Sequence, residues 1–95
     1  METQAKPLQG PRGLSRNGET VTRSQFARFE RNGRTGWQWV AFDDANPLCG
    51  RPLVLHVIEL PDQMDGFYDT PNGALWALRG CAASYFHDVR SHRGH

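Results

Sequence analysis

The chain is poor in what most folds and chemistries rely on. It has only two cysteines, Cys49 and Cys81, so a disulfide framework is excluded and both thiols are expected to be reduced. No apolar run approaches the roughly twenty residues of a membrane span, and nothing near the start has the apolar centre of a signal segment. The expectation is a cytoplasmic protein with no membrane contact. Four histidines, His56, His87, His92 and His95, are scattered without a zinc-like spacing to the cysteines, so no metal or other cofactor is expected. No serine, cysteine or lysine stands with a base and an orienting group, and no glycine-rich loop is shaped to cradle phosphate. These absences argue against an enzyme.

What is present is uneven along the chain. Positions 1–24 hold two of the six prolines and three of the ten glycines, with Ala5, Leu8, Leu14 and Val21 as the only aliphatics. Such a segment buries too little surface to offset its ordering entropy. Residues 1–23 are therefore read as a flexible, basic arm, 24–90 as one small domain and 91–95 as a frayed tail. From Met1 to Arg34 there are seven Lys or Arg and three Glu; from Thr35 onward there are four Arg and seven acids. A basic front thus leads an acidic body, and Arg12, Arg16, Arg23, Arg28, Arg31 and Arg34 are the candidate contacts to phosphate if the partner is nucleic acid.

The strongest periodic signal runs from Thr70 to Val89. Ala74, Leu75, Leu78, Cys81, Ala82, Tyr85, Phe86 and Val89 fall on one helical stripe, with Thr70 placed to cap and Pro71 suited to the first turn. Upstream, Asn32-Gly33 between two apolar-rich segments predicts a two-residue hairpin turn. That turn sets Arg28 opposite Trp37 and Phe26 opposite Trp39. Asp43 to Pro52 reads as a loop, Leu53 to Leu60 as a strand buried on both sides, and Phe67-Tyr68 as a short further strand. The predicted class is α+β: a small antiparallel sheet of three or four strands, β-β-β-(β)-α, packed against one C-terminal helix.

One helix covers one face of a sheet, yet both faces of this hairpin are apolar in part. Phe26, Arg28, Trp37, Trp39 and Ala41 share one side; Ala27, Phe29, Gln38, Val40 and Phe42 share the other. Whichever side is left over calls for a cover, which the N-terminal arm folding back, an identical subunit or a different macromolecule could supply; a homodimer or a captured partner is placed ahead of the arm, whose few aliphatics offer little apolar area. Trp37, Trp39 and Arg28 are candidate partner contacts if the helix takes the other side. A second candidate lies on the far side of the helix, where Trp76, Gly80, Ala83 and His87 follow at steps of four, three and four. A tryptophan anchor beside a shallow strip of small residues suits a protein-binding hot spot, and cover of Trp76 by the protein's own arm or a loop is the equal alternative.

Gly36-Trp37-Gln38-Trp39 at the start of a strand, followed by an acidic, glycine-containing loop and later one alanine-rich helix, resembles the small phage-encoded anti-CRISPR proteins that act on type I-F systems. The resemblance implies a non-catalytic inhibitor of a protein or ribonucleoprotein. The β-β-β-α outline, with Tyr68-Asp69-Thr70 before the helix, is also similar to DNA-binding domains of the integrase arm-binding type. That likeness implies a sheet face read into nucleic acid, and it ranks second because the body is acidic.

Overall fold

The computed structural model describes residues 6–63, 66 and 68–87. Its elements are β1 (Leu8–Gln9), β2 (Gly13–Leu14), β3 (Thr20–Val21), β4 (Arg23–Arg31), β5 (Arg34–Leu48), β6 (Arg51–Pro61) and α1 (Pro71–Tyr85). The main sheet is antiparallel in the order β1-β4-β5-β6, and β2 and β3 form a separate ribbon. With one helix this is an α+β architecture.

Asn32 and Gly33 both take positive φ, 55° and 78°, and the hairpin register follows from that turn: Arg31 faces Arg34, Arg28 faces Trp37 and Phe26 faces Trp39. The second hairpin was hidden in what reads as a loop. Cys49 and Gly50 repeat the same pair of positive φ angles, 54° and 78°, so β5 runs on to Leu48 and β6 starts at Arg51. The ladder is irregular between Asp43 and Leu48, which is where Pro47 is tolerated. A bulge matters more for the core. His56 pairs with Ala41 and Val54 with Phe42, leaving Leu55 as the extra residue. Leu55 and His56 both turn to the helix side, while Val54 and Val57 face away at 50% and 47% exposure. The continuous apolar run is therefore an edge strand with a shifted alternation, rather than a strand covered on both sides.

The helix lies over the face bearing Phe26, Trp37, Trp39 and Ala41, joined by Leu55, Ile58 and Leu60 from β6. Trp39 is fully buried and Trp37 is 7% exposed. Energetics favour this choice of face. Two tryptophans and a phenylalanine offer roughly 100 Å² more apolar surface than Phe29, Val40 and Phe42, worth about 2–3 kcal/mol. On the helix, Ala74, Leu75, Leu78, Ala82 and Tyr85 are buried, Thr70 accepts from the Gly73 N–H at 3.2 Å and Pro71 opens the first turn. Cys81, which the periodicity puts on the buried stripe, is exposed. Val89 lies outside the described residues.

Residues 6–23, expected to be part of a flexible arm, carry β1, β2 and β3. β1 adds the fourth strand beside β4, in place of the one expected at Phe67-Tyr68; Tyr68 is in a turn and position 67 lies outside the described residues. Gly10 is needed there, since a Cβ would stand 2.5 Å from Ser24 Oγ and 2.9 Å from Trp39 Nε1. The chain then crosses the end of the helix. Arg16 N–H donates to Tyr85 O (2.8 Å), Arg16 Nε donates to Phe86 O (3.1 Å) and His87 N–H donates to Leu14 O (2.9 Å). The two bonds from Arg16 satisfy carbonyls at the helix end that α1 cannot satisfy itself, and the third ties the chain just past the helix to the arm; Val21 joins the core at 1% exposure. The arm is thus held on the helix side, so it does not cover the opposite sheet face.

Two predictions follow from this packing. Leu78→Asp puts an unpaired charge in the helix–sheet interface and should cost about 4 kcal/mol or more, enough to unfold a domain of this size, read as loss of near-UV dichroism. Tyr85 donates its hydroxyl to Glu19 Oε1 at 2.5 Å, and burial first, then that bond, raises its pKa above the ordinary tyrosine value. Because the raised value favours the neutral phenol, its contribution is full below about pH 10 and is lost as pH rises through the folded-state value. Tyr85→Phe should lower stability by about 1 kcal/mol at pH 8 in urea titrations, and its difference from the wild type should shrink above pH 10.

Candidate protein-binding groove between the arm and the helix

Where the arm crosses the sheet it stands apart from α1, and the gap is a groove of about 590 Å³. Pro11, Arg12, Gly13 and Leu14 form one wall; Arg79, Ala83, Phe86 and His87 form the other, with Phe26 of β4 between them. Each wall exists for a local reason. The arm wall is fixed by β1 pairing on one side and by the bonds to the helix end on the other. The helix wall is the flank left over once Leu75, Leu78 and Ala82 face the sheet.

Arg79 connects this groove to the exposed anchor. Its guanidinium lies 5.7 Å from the Phe26 ring and 5.4 Å from the Trp76 ring, and Trp76 itself is 69% exposed. Gly80 is exposed as well, and a Cβ placed on it meets nothing within 4 Å. The surface is therefore a bulky indole, a stacked arginine and an apolar trough floored by Phe26. Among the described residues no carboxylate lines the groove, while Arg12 and Arg79 give it positive charge.

Of the residues singled out in the sequence, Trp76, Gly80 and Ala83 share the outer side of α1, whereas His87 lies beyond the helix, past the extended C-cap Phe86; Ala83 and His87 line the groove. Arg12, singled out for phosphate, lines it from the arm. Trp37 and Trp39 are corrected: both are buried under the helix and neither forms a contact surface, because their large area decides which face is covered. Arg28 is half-buried and clamped, pairing with Asp62 at 3.0 Å and lying 5.4 Å from the Trp37 ring. Arg79, Phe86, Pro11 and Leu14 went unrecognised, since no local pattern announces a contact between the arm and a helix more than sixty positions away.

The arginines are dispersed rather than gathered. Arg23 pairs with Asp44 at 3.0 Å and lies 4.0 Å from the Phe42 ring; Arg31 pairs with Glu59 at 2.6 Å and lies 5.5 Å from the Phe29 ring. Hydrogen bonds from these arginines hold the Asp44 and Glu59 carboxyls below their ordinary pKa, and Glu59 raises that of Arg31. Both stacks stand on the sheet face away from the helix, so its aromatics are half-buried by the chain's own side chains. Arg16 is spent on the helix end. His56 stacks on Tyr85 with ring centroids 4.6 Å apart, a packing role.

Among the described residues, no group of three or more His, Cys, Asp or Glu is gathered as a metal site would require, and no helix is long and apolar enough to cross a membrane. No family model matches the chain, and neither does any curated protein or solved structure.

Proposed function

We propose that this protein acts by binding, without catalysis, and that it modulates or inhibits a protein or ribonucleoprotein partner in the cytoplasm. The observation that carries this reading is Trp76, 69% exposed on a helix whose other side is locked in the core, and stacked through Arg79 onto the groove. A bare tryptophan on a rigid element is a preorganised anchor, and the adjoining trough accepts a partner side chain at little ordering cost. The likeness of the Gly36-Trp37-Gln38-Trp39 stretch and element order to anti-CRISPR inhibitors points to the same class of activity, and with it to a phage or mobile-element source.

The nucleic-acid reading has less support. Of its six arginines, Arg23, Arg28 and Arg31 are each held by a carboxylate, which would have to be displaced before a phosphate could bind.

Affinity capture from host lysate with full-length bait tests the proposal. Trp76→Ala should weaken retention of the captured partner by about 30-fold or more, the scale of a hot-spot anchor, and Ala83→Arg should block the trough; both substitutions are exposed and should leave the dichroism unchanged. Arg34→Ala should bind as the wild type does. In gel shifts with random duplex and single-stranded DNA, no tight complex is expected. Tight binding that falls with salt at a slope of about 0.9 per neutralised phosphate, undisturbed by Trp76→Ala, would overturn the proposal.

A further inference from the structure

An arginine over an aromatic ring, held there by a carboxylate, occurs three times in this chain. Arg23 lies over Phe42 and pairs with Asp44, Arg28 lies over Trp37 and pairs with Asp62, and Arg31 lies over Phe29 and pairs with Glu59. Arg79 has the rings without the acid. Its guanidinium lies over both Phe26 and Trp76, yet among the described residues no carboxylate or carbonyl accepts a hydrogen bond from it.

This unmatched arginine stands on the wall of the arm–helix groove. On the facing wall Arg12 is exposed and likewise has no acceptor among the described residues. Two guanidinium groups therefore flank a trough made of Leu14, Phe26 and Phe86. Contact with rings holds a guanidinium by its flat faces, while its N–H donors lie in the plane, so the edge of Arg79 is left to meet an acceptor. A carboxylate matches that edge with two parallel hydrogen bonds. The trough asks for something else. At about 590 Å³ it falls within the roughly 300–1,000 Å³ of ligand pockets, and its apolar floor is satisfied by an apolar side chain. Either group alone leaves half of the groove unmatched.

We propose that the groove takes an acidic segment of a partner protein, in which one large apolar side chain enters the trough over Phe26 and flanking Asp or Glu side chains pair with Arg79 and Arg12. The proposal rests on the protein-binding reading above and specifies the chemistry of that partner. Charge complementarity selects this occupant. Because two rings already fix Arg79, pairing with it costs little further ordering. A nucleic-acid strand is a poorer match, since its phosphates repeat along the chain and call for a line of cations, whereas Arg23, Arg28 and Arg31 are committed elsewhere. A second copy fits less well too, because Asp44, Glu59 and Asp62 are engaged by the chain's own arginines.

Amide NMR shifts of the full chain, titrated with an acetylated and amidated peptide of one phenylalanine between two pairs of glutamates, test this. The control peptide has glutamines in place of the glutamates. The acidic peptide should move the amides of Leu14, Ala83 and Phe86 and bind about five-fold or more tightly than the control, a margin that shrinks as salt rises. Arg79→Gln should abolish most of that margin. If Arg79→Gln alters the near-UV dichroism, Arg12→Gln decides instead: it touches no ring, and it should reduce the margin as well. Equal affinity for the two peptides, shifts confined to other surfaces, or no shift at millimolar peptide would overturn the proposal. So would groove amides that move with protein concentration alone, which marks a second copy as the occupant, or single-stranded DNA that displaces the acidic peptide at equal concentration. The broader reading is tested separately by Trp76→Ala in the lysate capture. Loss of the captured partner in Trp76→Ala, together with no preference for the acidic peptide, would mean that the acidic occupant is wrong while the binding reading stands.

Discussion

A two-sided sheet with a single helix has to choose which side to bury, and the rest of this structure depends on that choice. The side carrying Phe26, Trp37 and Trp39 goes under α1 because it offers the larger apolar area. The other side is then finished differently. Phe29 and Phe42 lie beneath arginines that are themselves held by Glu59 and Asp44, and Phe29 packs against the space left by Gly36, where a Cβ would come within 2.8 Å of its ring. Exposed pairs of this kind contribute little stability individually. They matter because each guanidinium stem shields an aromatic ring that would otherwise lie bare.

The covered side also explains the arm. A helix across β5 and β6 leaves Phe26, on β4, only partly roofed, and the N-terminal segment closes that gap. β1 extends the sheet, Val21 fills the core and Ser15 to Arg16 seals the end of α1. The groove is the seam between these two covers. Its position is therefore a consequence of the core: each wall is fixed by contacts made for folding, which keeps Trp76, Arg79 and the arm in place without a partner present.

Elements specified by neighbouring residues could be read from the sequence. Asn32-Gly33 set the first hairpin with its register, and Thr70-Pro71 with the spacing of Leu75, Leu78 and Ala82 set the helix and its start. The Trp76, Gly80 and Ala83 side of the helix was legible for the same reason, whereas His87 falls past the helix end. Features decided by distant contacts were not. The composition of residues 6–22 describes a segment unable to fold alone, and it says nothing of a segment whose backbone is completed by β4 and by the end of α1. Cys49-Gly50 turns the chain as Asn32-Gly33 does, but cysteine is an uncommon occupant of a positive-φ site, so the long second hairpin resembled a loop. The bulge at Leu55 disguised an edge strand as a buried one, because a shifted alternation looks like an unbroken apolar run.

The sealed helix end and the groove both require the arm to be docked. Amide hydrogen exchange followed by NMR reads this directly at Gly10, Arg16 and His87, whose N–H groups donate to Ser24 O, Tyr85 O and Leu14 O. With the arm in place these three amides should be protected together, to a degree comparable with the amides linking β4 and β5. Exchange of all three at the rate of an open chain, while β4 and β5 remain protected, would contradict the structure described for the arm and remove one wall of the groove.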